Sequence, residues 1–117
     1  MAGRSPINQL HPLPKDQWVT LNEIWTFGDA LYLIEERETQ STKVGIAVNP
    51  IRRYSTLQSG NPRRLILSHT MVGPRSLCRR AERAALAHFS AHRLVGEWVR
   101  VPAADIYAYL QREGFSL

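Results

Sequence analysis

"TKVGIAVNPIRRYSTLQSGNP", residues 42–62, passes from a strand to a helix within one short stretch. Across "KVGIAV" the alternation puts Val44, Ile46 and Val48 on one face, and Lys43, Gly45 and Ala47 on the other. The second face is nearly bare apart from its lysine. A glycine inside a strand marks a bulge or the close approach of another group. Asn49 then offers an N-cap and Pro50 a first helical residue. The spacing predicts a helix running to Gln58, with Gly60 as its terminator. Ridge counting assigns Pro50, Arg53, Tyr54 and Leu57 to its core stripe, and Arg52, Ser55, Thr56 and Ser59 to the solvent side. A guanidinium at Arg53 is out of place on a stripe meant for burial.

Outward from this junction the chain reads as short elements. Upstream, "DALYLIEE" (29–36) is a near-continuous apolar run, as in a buried strand, and "RETQST" (37–42) is polar and loop-like. Downstream, "RRLILSHTMV" (63–72) is a third strand. A longer helix from Leu77 to His92 packs through Cys78, Ala81, Ala85 and Phe89. "EWVRV" (97–101) is a short extended piece, and Pro102 opens a last helix containing Ile106, Tyr109 and Leu110. The order β-β-α-β-α-β-α implies an α+β fold with a small, mostly antiparallel three-stranded sheet flanked by helices. Residues 1–28 form an extension to a domain spanning 29–117. Its first 15 residues read as an irregular arm, and "DQWVTLNEIWTF" (16–27) as a short helix with Trp18, Leu21 and Trp25 along one side.

At 117 residues the chain has enough length for one core. Its 44% apolar and 21% charged residues are ordinary for a globular domain. No apolar run reaches the ~18 residues that suggest a membrane span, and the first residues lack the apolar centre of a secretion signal. Cys78 is the sole cysteine, so it makes neither an internal disulfide nor a zinc site alone. These features favour a reducing, cytoplasmic setting.

The net charge of +5 is unevenly distributed. Residues 1–51 carry four basic and six acidic side chains, residues 52–83 eight and one, and residues 84–117 three of each. The eight in the middle block are all arginines: Arg52, Arg53, Arg63, Arg64, Arg75, Arg79, Arg80 and Arg83. Arginine presents a planar fork of donors suited to phosphate oxygens. The block therefore points to a polyanionic partner, DNA above all, against the plainer reading of a solvated basic face.

Six pieces in order, "LYLI", Lys43-Val-Gly45, Arg53, "LQSGNP", Glu82 and "GEW" (96–98), resemble the GIY-YIG endonuclease superfamily. The likeness is to its small phage and bacterial branch with a Lys-x-Gly second motif, and it covers residues 29–110. Through this resemblance Tyr32 takes the place of the first-motif tyrosine. Lys43 and Gly45 take the first and last places of the second motif, Arg53 that of the catalytic arginine and Glu82 that of the metal-binding glutamate. The sequence departs from the pattern at Leu86, where relatives often carry His, and at Val99, where they carry Phe. The late Asn of many relatives is absent, with Glu97 standing near its place.

The resemblance implies phosphodiester hydrolysis, a reaction that needs a base for water, a cation for the developing charge, and rigid positioning. Tyr32 would be the base, assisted by Lys43 either as a neighbouring charge or as a proton acceptor. Arg53 would clamp the scissile phosphate, its fork crossing the bare Lys43–Gly45–Ala47 face. Glu82 would hold a single Mg²⁺ or Mn²⁺. Tyr32 and Lys43 share a face only if residues opposed in the hairpin sum to an odd number. Read singly, each residue has a plainer role: a core tyrosine, a solvated lysine, a snorkelling arginine, a surface ion-pair acid.

Two other functions fit the same residues. One is a nucleic-acid-binding module that kept the fold and lost the chemistry. The other is a phage-type effector, contacting a host protein or a second copy of itself through Trp18 and Trp25. His88 and His92 lie four apart, but no third ligand is spaced for zinc. Trp98 reads as a core anchor and not a base-stacking platform.

Overall fold

The structure, a computed structural model, describes residues 9–18, 25 and 27–117. Its elements are β1 (His11–Pro12), β2 (Ala30–Glu36), β3 (Ser41–Ala47), α1 (Pro50–Ser59), β4 (Ile66–Val72), α2 (Arg75–His88), β5 (Trp98–Val99) and α3 (Ala103–Arg112). The strands form one antiparallel sheet in the order β1-β4-β2-β3-β5. The fold is therefore α+β, as expected. The three expected strands form its centre, and a two-residue strand adds to each edge. The turn Ser90–His92 is a separate 3-10 turn after α2, so the expected long helix ends at His88.

Helices cover both faces of the sheet. On one side Leu31, Leu33, Val44 and Met71 pack against Leu77, Cys78, Ala81 and Ala85 of α2 and Ile106 and Leu110 of α3. On the other, Tyr32, Ile34, Leu65 and Leu67 meet Ile51, Tyr54 and Leu57 of α1. The irregularity between Leu33 and Ile34 in the β2–β4 pairing makes Ser68 an extra residue. That extra residue moves Leu67 to the α1 side while Met71 keeps to the α2 side.

The junction that decides the fold is closed by local chemistry. The Asn49 side-chain oxygen accepts from Arg52 N at 3.0 Å, as an N-cap should. At the far end Gln58 accepts from Leu65 N at 2.7 Å and donates to Arg63 O at 3.0 Å, while Asn61 Oδ1 accepts from Arg63 N at 2.8 Å. "LQSGNP" is thus a clamp that returns the chain from α1 into β4. Tyr54 Oη adds a third tie by donating to Leu65 O at 3.0 Å.

Part of the expected arm is in the sheet. Leu10 is fully buried in the α2-side core, and β1 pairs with Val72 and Met71. The short helix expected over 16–27 falls mainly on residues 19–24 and 26, outside the described residues. Its start is a 3-10 turn, Lys15–Gln17. Trp18 is half-buried against the α1-side cluster and donates to Leu13 O at 3.0 Å. Trp25 is buried and donates to Gly28 O at 2.8 Å, so its indole is used within the fold. No helix among the described residues is long and apolar enough to cross a membrane.

Candidate functional site

Tyr32 stands opposite Gly45 in the β2–β3 ladder, an odd sum, so Tyr32 and Lys43 do share a face. The glycine has a specific job. A Cβ at position 45 would overlap the Tyr32 hydroxyl and ring, so the phenol lies flat across the bare backbone of β3. The close approach signalled by Gly45 is therefore that of Tyr32. β5 pairs with β3 only at Thr42 and Lys43, which leaves β3 beyond Val44 open at the sheet edge.

There the chain forms a polar cleft of about 450 Å³, lined by Tyr32, Ile46, Arg53, Arg75, Arg79, Glu82, Arg83 and Glu97. Four elements and one hairpin deliver these groups, Ile46 coming from β3. Strand β2 supplies the phenol, and the first turn of α1 supplies Arg53. One face of α2 supplies Arg75, Arg79 and Glu82 at helical spacing, with Arg83 beside them. The hairpin before β5 brings Glu97.

Arg53 reaches the cleft by a different route from the one its spacing suggested. It is exposed, along with Arg52, Thr56 and Ser59, while Ile51, Tyr54 and Leu57 make the buried stripe. Of the expected stripe, Pro50 is buried and Tyr54 and Leu57 pack against the sheet, so only Arg53 departs from it, with Ile51 packing in its stead. The Lys43–Gly45–Ala47 face is not an open floor for a guanidinium either, because the Tyr32 ring covers Gly45 and Ala47 packs toward α1.

Lys43 does not line the cleft. It is 8% exposed and donates from Nζ to Glu97 Oε1 at 2.9 Å. Its ammonium therefore anchors Glu97, whose side chain stays nearly half exposed. Glu82 is half-buried, and burial raises its carboxyl above the usual range. The neighbouring Glu97 carboxylate pushes the same way, while Lys43 and Arg83 oppose it. Two carboxyl groups held side by side repel when both ionise, and a hard divalent cation bound by oxygen relieves that repulsion. Glu82 and Glu97 are the two oxygen donors here that could hold such an ion. Among the described residues no group of three or more His, Cys, Asp or Glu is placed to hold a metal.

The remaining arginines divide. Arg75, Arg79, Arg80 and Arg83 line an adjoining hollow of about 420 Å³ with Ser76, which continues the basic surface along α2. Arg75 also reaches Asp29 at 3.3 Å. Arg52 is exposed on α1 outside the cleft lining. Arg63 is ion-paired to Glu36 at 3.5 Å and Glu38 at 3.4 Å. Arg64 borders a separate apolar hollow with Trp18 and Tyr54. These three do not join the cleft. His88 stacks on Tyr109 at 4.2 Å, an aromatic packing role.

Glu97 is the site residue that the sequence pattern placed only loosely. Its position depends on the Arg93–Val99 bridge and on Leu94 N donating to Trp98 O at 2.8 Å. "GEW" was the available signal, since Gly96 sits at φ +63 in the turn that presents Glu97.

No curated protein and no solved structure matches the chain. A domain family does: its match runs over residues 29–113, from the residue before β2 to the one after α3, and includes every residue lining the cleft. On that span the chain belongs to the T5orf172 domain family, a phage-type, nuclease-like family consistent with a role in nucleic-acid cleavage or DNA binding.

Proposed function

We propose that this protein is a metal-dependent endonuclease of the GIY-YIG kind, hydrolysing phosphodiester bonds in DNA with low sequence specificity. The observation that supports it is the meeting of Tyr32, Arg53, Glu82 and Glu97 in one arginine-rimmed cleft. In this reading Tyr32 acts as its phenolate, its own proton having gone to solvent, so that the oxygen orients the attacking water and takes one of its protons to return to the phenol. Its ring is held flat by Gly45, so the oxygen is positioned before substrate arrives. Arg53 donates to the non-bridging oxygens of the scissile phosphate, where negative charge grows in the transition state. Arg79 and Arg83 hold neighbouring phosphates. Lys43 is a positioning residue, acting through Glu97. Glu82 and Glu97 would hold Mg²⁺ or Mn²⁺, and the ion would supply electrostatic stabilisation of the developing negative charge.

A second reading, a binding module without chemistry, has its support in Lys43. Its ammonium is committed to Glu97, where relatives of the resembled superfamily carry a second tyrosine. The test is cleavage of supercoiled plasmid and single-stranded DNA with Mg²⁺ or Mn²⁺. Wild type should nick, and Glu82→Ala and Arg53→Ala should each lose about 10²–10³-fold, the scale for removing one transition-state contact. Equal, contaminant-level cleavage by all three proteins would overturn the enzyme reading. Salt-sensitive binding retained by Glu82→Ala would then leave the binding module.

A further inference from the structure

Glu97 and Trp98 are consecutive, yet they serve different hollows. Glu97 lines the cleft. Trp98 lines a second hollow of about 280 Å³ with Leu94, Val95, Asn61, Ser41 and Arg63 among its walls. Trp98 is half-buried, packed on one side against the α1-side cluster and open on the other to this hollow. The sequence reading of Trp98 as a core anchor therefore describes only part of its surface.

The lip of the hollow is the hairpin tip. Val95 is 80% exposed and Leu94 41% exposed. The tip is held by Trp98 N donating to Val95 O at 3.2 Å and by Arg93 Nε donating to Gly96 O at 2.8 Å. Two exposed aliphatic side chains on a braced turn, next to a cleft residue, are not explained by the core.

Charge identifies the kind of partner. Leu94 also borders a hollow formed by His92, Arg93 and Arg100, and neither arginine is ion-paired among the described residues. Arg63 on the opposite wall is committed to Glu36, which also lines the hollow, and to Glu38, so the cations left without an ion pair here among the described residues are those on the Leu94 side. An apolar and aromatic slot with Arg93 and Arg100 beside its lip suits a group that is flat, apolar on its faces and tied to phosphates. A nucleobase is that group. Stacking on an aromatic ring tolerates any base, and proteins use aliphatic wedges of this kind to part base steps. The volume lies at the small end of ligand pockets, near the roughly 300 Å³ lower bound, which suits one ring system and not a helix or strand of a partner protein.

We propose that the hollow bounded by Leu94, Val95 and Trp98 receives one unstacked base of the strand whose phosphate occupies the neighbouring cleft. Nucleic acid with an unpaired nucleotide is then the preferred substrate over intact duplex. The proposal rests on the nuclease reading for its choice of strand, and its test separates the two.

The probe is a DNA duplex carrying a single 2-aminopurine, either paired or as a one-nucleotide bulge, titrated with full-length protein by fluorescence and anisotropy. The bulged duplex should bind more tightly, with its 2-aminopurine emission changed on binding by stacking. Trp98→Ala should weaken bulge binding roughly 5- to 150-fold, the range that one base–aromatic stack contributes. Trp98→Phe should restore most of it. Since Trp98 also packs in the core, the doubly substituted Leu94→Ser, Val95→Ser tip is a second variant, and it should bring the bulged-to-intact affinity ratio to about one. Equal binding of the two duplexes by wild type, or an emission unchanged on binding, overturns the base site and leaves the nuclease reading standing. Failure to bind either duplex removes both. Sedimentation without DNA is the remaining check: an oligomer dispersed by the tip variant would put a second copy of the chain in the hollow and overturn the proposal.

Discussion

Gly45 and Tyr32 form a matched pair, one residue defined by the absence of a side chain and the other by the space this leaves. Any Cβ at position 45 forces the phenol off the strand, because the atoms that meet it are the ring and hydroxyl themselves. Gly45→Ala should therefore lower stability by about 1–3 kcal/mol, as overpacking does, and should displace the Tyr32 oxygen from the cleft. Tyr32→Phe keeps the packing and removes only the oxygen. The two variants should differ in thermal melting, with Gly45→Ala well below Tyr32→Phe, while both lose cleavage. A general base contributes about 10²–10⁴-fold, so loss of that order with an unchanged melting temperature in Tyr32→Phe separates a chemical role from the plainer one of core tyrosine. At this scale the sequence was informative about identity and weaker about direction. The set Tyr32, Lys43, Arg53, Glu82 could be named, yet Lys43 turns to Glu97 and Arg53 lies on the exposed side of α1. Side-chain direction depends on what fills the neighbouring space, so Arg53 faces solvent while Tyr54 and Leu57 of the same expected stripe pack against the sheet.

Elements whose ends are set by near neighbours were the most legible. Asn49, Pro50 and the Gln58–Asn61 clamp act within a few residues of α1, so its start and end follow from local chemistry. The hairpin presenting Glu97 depends on pairing of Trp98 with Lys43 across more than fifty residues, and no local pattern encodes that partner. The β2–β3 turn is a local device with a charge at its centre. The buried Glu36 carboxylate accepts from Thr39 Oγ1 at 2.5 Å, from Glu38 N at 2.8 Å and from Thr39 N at 3.1 Å. The Thr39 hydroxyl, with these amides and Arg63, holds its carboxyl below the usual range despite burial. A carboxylate depressed in the folded state stabilises the fold above its unfolded pKa, near 4.5, and that contribution is lost as pH falls through the lower folded value. Glu36→Gln should thus lower the urea midpoint at pH 7 and flatten its decline between pH 5 and pH 3. A mutant whose acid decline parallels wild type would place the charge of Glu36 outside the stability of the turn.

For the molecule as a whole, the uneven charge visible in the sequence becomes a directional surface. Three of the acids outside the arginine block are used within the fold. Glu36 caps a turn, Glu35 accepts from Ala103 N at the start of α3 at 3.0 Å, and Asp29 meets Arg75. The arginines of α2 instead face the cleft and the hollow beside it. From Arg75 to Arg83 the helix rises roughly 12 Å, so in the proposed function the row would follow a phosphate backbone and read no bases. Binding should therefore be strongly salt-dependent and weakly sequence-dependent. Arg63 and Arg64, committed to Glu36 and Glu38 or turned to another hollow, should matter little. The double variant Arg79→Ala, Arg83→Ala should reduce the slope of log K against log salt on duplex DNA by about 2, one for each lost phosphate contact. Arg64→Ala should leave the slope unchanged. If both sets reduced the slope equally, the basic block would be acting as a diffuse field around the whole domain, and the cleft at the open edge of β3 would lose its claim to be where the backbone is held.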